Sequence, residues 1–230
     1  MRNPIIVALD VPTAEEALEL ARDLSGSVGA FKIGKELFVS AGPEVVRAIQ
    51  EEGGAVFLDL KFHDIPNTVA KAVSAAALLE VRMLTVHTSG GPAMLAAAAE
   101  AAQAAAGEAP LVLGVTVLTS MDGEDLRAVG QSENSTEQVE RLARLAVNNG
   151  LRGLVCSPRE LPALRSALPE EVQLVTPGIR PLGSTAGDQK RTLTPAEAMA
   201  AGADWLVIGR PITAAANPRI AAEEILEGLG

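Results

Sequence analysis

The chain has 230 residues, of which 48% are hydrophobic and 21% charged, so it can build a large core and has no signature of disorder. Its formal net charge of −10 opposes binding to nucleic acid or to an anionic membrane surface, and an aromatic content of 2% leaves few side chains for stacking on bases. We therefore expect neither of these partners. A small anionic substrate remains compatible with a local group of Lys and Arg side chains.

Short apolar runs alternate with helical segments along the chain. Runs rich in β-branched residues predict eight strands, at 5–9, 28–33, 55–60, 82–87, 111–117, 153–156, 172–176 and 204–208. Helix patterns and start signals predict eight helices, at 13–24, 43–52, 66–79, 92–106, 136–149, 158–167, 194–201 and 218–229. Units of about 29 residues fit a parallel (β/α)₈ barrel better than an open doubly wound sheet. We predict one TIM barrel domain over residues 1–230.

Polar residues follow most of the predicted strands. A TIM barrel carries its active site at the carboxyl ends of its strands, so this pattern predicts a site at that end of the barrel. In chain order, the polar residues in these positions are Asp10, Lys32, Asp59, Lys61, His87, Thr116, Thr119, Arg180 and Arg210.

The run 59–68 (DLKFHDIPNT) is the most informative part of this set. Side chains alternate along a strand, so Asp59 and Lys61 point the same way. Because an ion pair is costly to desolvate, we interpret this one first as part of a functional site and second as a structural salt bridge. Nearby carboxylates favour the ammonium form of Lys61, which suits a proton donor better than a Schiff-base nucleophile. Lys32 can join the pair from the neighbouring strand.

An array of alternating cations and anions suits a reaction that develops a carbanion and then protonates it. A substrate carboxylate placed beside Asp59 would be repelled and lost as CO₂. Lys61 would then deliver a proton to the carbon left behind. Stabilisation of the transition state by the ammonium groups would act together with this repulsion.

A phosphate site is predicted after strands seven and eight, where barrels often bind this group. Glycines there let the backbone approach an anion, and the guanidinium groups of Arg180 and Arg210 offer planar sets of donors. Gly209 precedes Arg210, and Gln189 lies in the polar segment 181–193, which we interpret as a lid over the phosphate. The segment 120–135 is either a second lid or an ordinary solvated connection.

A metal is the main rival explanation for the carboxylates. Asp59 and Asp64 could hold Mg²⁺, but the ammonium group of Lys61 would repel it, and the sequence has no HxxxH spacing or Cys cluster. We predict no metal and no cofactor. We also expect His63 to be structural or exposed, and His87 to support packing or reach the site.

Two further residues, and the amino terminus, receive simpler interpretations. Cys156 and Trp205 lie within or beside apolar strands and are expected in the core. The amino terminus enters a strand without a signal-peptide core, so we expect a cytosolic protein.

Lys32, the run 59–68, residues 176–180 and the pair Gly209-Arg210 together resemble orotidine 5'-phosphate decarboxylase of the bacterial type. The similarity covers nearly the whole chain, and DLKFHDIPNT is its most specific part. It implies conversion of orotidine 5'-monophosphate to uridine 5'-monophosphate and CO₂, the last step of de novo UMP biosynthesis, without metal or cofactor.

The resemblance also assigns roles to residues. It implies a homodimer in which Asp64 and Thr68 reach the site of the partner subunit, and it makes Lys61 the proton donor. Lys32, Asp59 and Asp64 complete the charged array. The remaining assignments are Asp10 and Lys32 to the ribose hydroxyls, Thr119 to the pyrimidine, and Arg180, Gln189, Gly209 and Arg210 to the phosphate.

Two alternatives remain open. Metal-dependent enzymes of the same superfamily, such as 3-keto-L-gulonate 6-phosphate decarboxylase, share the Asp-x-Lys-x-x-Asp core but carry an acidic metal ligand where this chain has Lys32. A catalytically silent phosphate-binding barrel is the other alternative. Such a protein would be expected to have lost part of the Lys–Asp array, and this chain retains all of it.

Overall fold

Eight parallel strands form a closed barrel in the computed structural model, which describes residues 3–181 and 192–229. Each strand pairs with the next, and the last pairs with the first. The strands are β1 (Ile5–Leu9), β2 (Ala30–Ile33), β3 (Val56–Phe62), β4 (Met83–His87), β5 (Leu111–Val115), β6 (Gly153–Val155), β7 (Gln173–Thr176) and β8 (Trp205–Ile208). The predicted (β/α)₈ barrel is confirmed.

Helices follow the strands and cover the outside of the barrel. They are α1 (Ala14–Leu24), α2 (Lys35–Ala41), α3 (Glu44–Glu51), α4 (Pro66–Ala77), α5 (Pro92–Gln103), α6 (Gly123–Ala128), α7 (Ser135–Asn148), α8 (Leu161–Ala167), α9 (Pro195–Ala200), α10 (Arg210–Thr213) and α11 (Pro218–Glu227). Short 3₁₀ turns lie at Thr88–Gly90 and Pro158–Glu160.

The predicted elements are confirmed in type and order, with bounds that differ by a few residues. Three helices were not predicted, namely α2, α6 and α10, which have only four to seven residues. Such lengths are too short to show a helical period in the sequence. Helix α6 lies within the predicted loop 120–135, where Asp122 and Asp125 form a reciprocal cap.

The strands bury both faces, which explains their nearly continuous apolar sequences. Side chains facing outward pack under the helices in one large cluster. Side chains facing inward fill the barrel interior, with Phe57, Met83 and Trp205 as its largest members. Because side chains alternate along each strand, the residues two places beyond this interior layer also face inward, toward the carboxyl end.

The two residues expected in the core are confirmed there. Trp205 is buried and its indole N–H donates to Gln173 Oε1 at 2.8 Å. Cys156 is also buried, and desolvation raises the pKa of its thiol to about 12, so the thiol stays protonated and unreactive. No helix in the described part of the chain combines the length and the apolar character needed to cross a bilayer.

Candidate active site

Three charged side chains from two neighbouring strands meet at the carboxyl end of the barrel. Lys61 Nζ lies 2.7 Å and 2.8 Å from the two carboxylate oxygens of Asp59. Lys32 Nζ lies 3.9 Å from Asp59 Oδ2. Asp59 is thus held between two ammonium groups, as the spacing in the sequence predicts.

This array is largely removed from solvent, with exposed side-chain fractions of 11% for Lys32, 14% for Asp59 and 24% for Lys61. Burial has the largest single effect on the pKa of Asp59, and by itself it raises that pKa. The charges of Lys32 and Lys61, with hydrogen bonds from Lys61 and Thr85, outweigh it and hold the pKa of Asp59 below its ordinary value. Asp59 is therefore a carboxylate at neutral pH.

Thr85 is the contact that sequence reasoning missed. Its hydroxyl donates to Asp59 Oδ1 at 3.0 Å and accepts from the backbone N–H of Lys61 at 2.9 Å. A threonine in a buried strand is ordinary, so no signal marked it. The alternation of side chains along β4 could have indicated it, since Thr85 lies two residues beyond the inward-facing Met83 and two before His87.

Asp10 extends the array toward the first strand. Its carboxylate accepts a hydrogen bond from Lys32 Nζ at 3.0 Å, and its side chain is 65% exposed. Two glycines lie next to this pair. A Cβ at Gly34 would lie 3.2 Å from Lys32 Nζ, and one at Gly209 would lie 3.9 Å from Asp10 Oδ2. The end of β8 therefore lies beside Asp10.

The predicted phosphate residues follow β7 and β8, which are neighbours in the barrel. Arg180 is anchored by a backbone hydrogen bond and a short bridge between Ile179 and Leu193. Arg210 is exposed and begins α10 directly after Gly209. Gln189 lies outside the described residues, as does most of the predicted lid 181–193.

The remaining strand-end residues differ in their surroundings. Thr119 is half-buried in the turn after β5, whereas Thr116 is buried, with its hydroxyl 3.5 Å from Val155 O. His87 is half-buried, and its ring centroid lies 5.5 Å from that of the exposed His63. Burial, followed by the charges of His63, Lys61 and Lys35, holds the pKa of His87 below its ordinary value. Its imidazole therefore adds no positive charge at neutral pH.

Asp64 and Thr68 are not brought into the array of their own subunit. Both are exposed, and Asp64 Oδ1 accepts from the backbone N–H of Ile65 at 2.6 Å. Among the described residues, Asp64 forms no ion pair with Lys61. The adjacent Ile65 has 66% of its surface exposed, so an apolar side chain accompanies these polar ones at the surface.

Comparison with known proteins identifies the family of this chain. Residues 3–225 match the family described as "Orotidine 5'-phosphate decarboxylase / HUMPS family". The chain belongs to this family. A curated member from Pseudomonas paraeruginosa, named orotidine 5'-phosphate decarboxylase, is 55% identical over 229 residues, covering 100% of this chain and 98% of the relative. A relative of the same name from Pseudomonas aeruginosa is equally similar.

Solved structures of family members share the fold. A crystal structure of orotidine 5'-phosphate decarboxylase from Lactobacillus acidophilus superposes with a TM-score of 0.89 and 36% identity, covering 99% of both chains. The crystal structure of the enzyme of the same name from Pyrococcus horikoshii superposes with a TM-score of 0.79 and 26% identity, covering 98% of both chains. The similarity therefore extends over the whole barrel.

The surroundings of the Asp59 carboxylate are cationic. Within residues 3–181 and 192–229, no three His, Cys, Asp or Glu side chains cluster as metal ligands. The carboxylate oxygens of Asp59 instead contact Lys61 and Thr85, and Lys32 lies nearby. A divalent cation at Asp59 would be repelled by two ammonium groups.

Proposed function

We propose that this protein decarboxylates orotidine 5'-monophosphate to uridine 5'-monophosphate and CO₂, the last step of de novo pyrimidine biosynthesis, without metal or cofactor. The observation that carries the proposal is the array in which Asp59 lies between Lys32 and Lys61. Metal-dependent members of the superfamily need an acidic ligand where this chain has Lys32. The ion pair between Lys32 and Asp10 gives that lysine a defined place in the array.

The array can both favour loss of the substrate carboxylate and protonate the carbon left behind. A substrate carboxylate bound beside the ionised Asp59 meets a fixed negative charge, which its loss as CO₂ relieves. The developing carbanion is stabilised by the ammonium group of Lys61. Lys61 then donates a proton to carbon, and the electron pair left by the broken C–C bond becomes the new C–H bond. Since the charges are already fixed by contacts within the protein, little reorganisation is needed.

The rest of the nucleotide has matching partners. We assign Asp10 and Lys32 to the ribose hydroxyls, because they form an ion pair whose Asp10 side is open to solvent. The pyrimidine is assigned to Thr119, and the phosphate to Arg180, Arg210 and Gly209, with Gln189 from the segment outside the described residues. Guanidinium groups are suited to binding phosphate oxygens in pairs.

The active unit is proposed to be a homodimer, with Asp64 and Thr68 entering the site of the partner subunit. Their exposure, and the absence of contact between Asp64 and Lys61 in the described chain, support this arrangement. The exposed Ile65 between them would be buried by the partner.

Turnover in the presence of a chelator tests the proposed reaction. We expect the purified protein to consume orotidine 5'-monophosphate at the same rate with and without excess EDTA, because no step requires a cation. Loss of substrate absorbance and release of uridine 5'-monophosphate are the measurements. Activity that appears only with added Mg²⁺, or with 3-keto-L-gulonate 6-phosphate as substrate, would establish the alternative instead.

Removing one phosphate ligand should weaken substrate capture. For Arg210→Ala we expect kcat/KM to fall about ten- to a hundredfold, mainly through KM, because a hydrogen bond to a charged group contributes about 1.5–3 kcal/mol. Initial rates across substrate concentrations measure this. Arg152→Ala is the control, since Arg152 is an exposed arginine at the opposite end of the barrel. An equal effect in both variants would contradict the assignment of Arg210.

A further inference from the structure

The paired strands β3 and β4 lose their regular register beside the charged array. Leu58 pairs with Leu84 and Phe62 pairs with Val86, so four steps along β3 correspond to two along β4. The extra residues of β3 bulge at Asp59, Leu60 and Lys61, where a regular ladder cannot satisfy every backbone group. The residue of β4 opposite this bulge is Thr85.

Lys61 has an unusual backbone within the bulge. Its φ angle is +55°, in the left-handed region that non-glycine residues rarely adopt. A residue persists in this region only where its surroundings hold it there. The N–H of Lys61 donates to Thr85 Oγ1 at 2.9 Å, so the threonine supplies an acceptor at the strained position.

The same hydroxyl also holds the other member of the ion pair. Thr85 Oγ1 donates to Asp59 Oδ1 at 3.0 Å, which is possible because a hydroxyl can accept and donate at once. Thr85 is fully buried, so water does not replace either bond. One oxygen atom therefore fixes the backbone of the proton donor and the carboxylate that faces it.

We propose that Thr85 is a positioning residue for the proposed reaction: its hydroxyl holds the Lys61 backbone in the left-handed conformation and orients the Asp59 carboxylate. Both hydrogen bonds of its hydroxyl go to the charged array, one to the Lys61 backbone and one to Asp59. It acts through Lys61 and Asp59, whose relative placement decides whether the proton reaches the reacting carbon. The inference rests on the proposed decarboxylation for its kinetic consequences only.

The test compares Thr85→Val, which keeps the shape and removes the hydroxyl, with Thr85→Ser, which keeps the hydroxyl. We expect Thr85→Val to lower kcat about ten- to a hundredfold, because misplacement of reacting groups by about 1 Å can have effects of that size. KM should change less than about threefold, since the nucleotide contacts are intact. Thr85→Ser should retain most of kcat.

Thr88→Val is the matched control. Thr88 is also fully buried, and its hydroxyl donates at 2.9 Å to the backbone carbonyl of Val115, which is not a member of the charged array. Both valine variants lose a buried hydroxyl, so both should unfold at somewhat lower temperature. A role of Thr85 in stability alone would give the two variants the same kcat, and that result would overturn the proposal.

Two measurements are independent of turnover. Without the donated hydrogen bond, the pKa of Asp59 should rise in Thr85→Val, which carboxyl ¹³C NMR titration reports. The Lys61 amide should exchange its hydrogen faster, and neither change should occur in Thr88→Val. If wild-type protein failed to turn over orotidine 5'-monophosphate, the proposed function would fall. These two signals would still decide whether Thr85 positions Asp59 and Lys61, and unchanged signals would refute it.

Discussion

Lys61→Ala is expected to abolish decarboxylation while leaving nucleotide binding largely intact. The lysine is the proposed proton donor and lies 2.7 Å from Asp59, so its loss removes both the proton and a charge that stabilises the carbanion. General acid catalysis alone contributes about 10²–10⁴-fold, and we therefore expect kcat to fall at least about 10⁴-fold. Single-turnover assays at high protein concentration measure the residual rate.

Binding of uridine 5'-monophosphate to the same variant separates catalysis from folding and affinity. The phosphate is assigned to Arg180 and Arg210, which follow strands β7 and β8, so calorimetry should give a dissociation constant within about tenfold of wild type. Arg47→Ala is a suitable control because it removes an exposed cation from α3, paired only with Glu44 among the described residues. Activity of Lys61→Ala within tenfold of wild type would remove Lys61 from its proposed role.

The barrel and the charged array follow from patterns that the sequence expresses directly. Eight apolar runs separated by helical segments favour one topology, because each parallel strand needs a crossover helix. Asp59 lies two residues beyond the inward-facing Phe57, so the alternation of side chains places it in the interior. Lys61 joins it as expected, although the bulge in β3 interrupts the alternation between the two residues. Lys32 of β2 pairs with the inward-facing Phe57 of β3, so it also faces the interior. Local rules were sufficient to predict the barrel and the positions of Asp59 and Lys32.

Other parts of the site depend on features that no local pattern expresses. The bulge in β3 and the positive φ of Lys61 arise from pairing with β4. Lysine rarely adopts a left-handed conformation, so its presence in the sequence does not predict one. The contacts of Thr85 with Asp59 and Lys61 were therefore not predictable from its place in an ordinary strand sequence. Short helices such as α10, which begins at Arg210, are held by tertiary contacts more than by their own sequence.

The proposed role of Asp64 depends on a second copy of the chain. In one subunit its carboxylate accepts a hydrogen bond from the backbone N–H of Ile65 at the surface. Lys61 already has an anionic partner in Asp59, so within a single chain Asp64 has no evident electrostatic task. The proposed dimer gives it one, on the other side of the partner's proton donor, where it would complete the alternation of charges.

Mixing two inactive variants tests this shared site. In a heterodimer of Lys61→Ala and Asp64→Ala subunits, one site lacks both groups, and the other has an intact Lys61 together with an intact Asp64 from its neighbour. Random exchange makes half of the dimers heterodimers, so activity should recover to about a quarter of wild type in a two-fold symmetric dimer. Turnover is measured after subunit exchange, which native mass spectrometry confirms.

A second mixture controls for contamination and refolding. Asp59 and Lys61 lie in contact on one strand of one subunit, so Lys61→Ala mixed with Asp59→Ala leaves a defect in every site. That mixture should stay inactive under conditions where the first recovers. If Asp64 served its own subunit instead, both mixtures would remain inactive despite complete exchange. Recovery in the first mixture alone therefore requires that Asp64 cross the interface, which makes the dimer the smallest unit with a complete site.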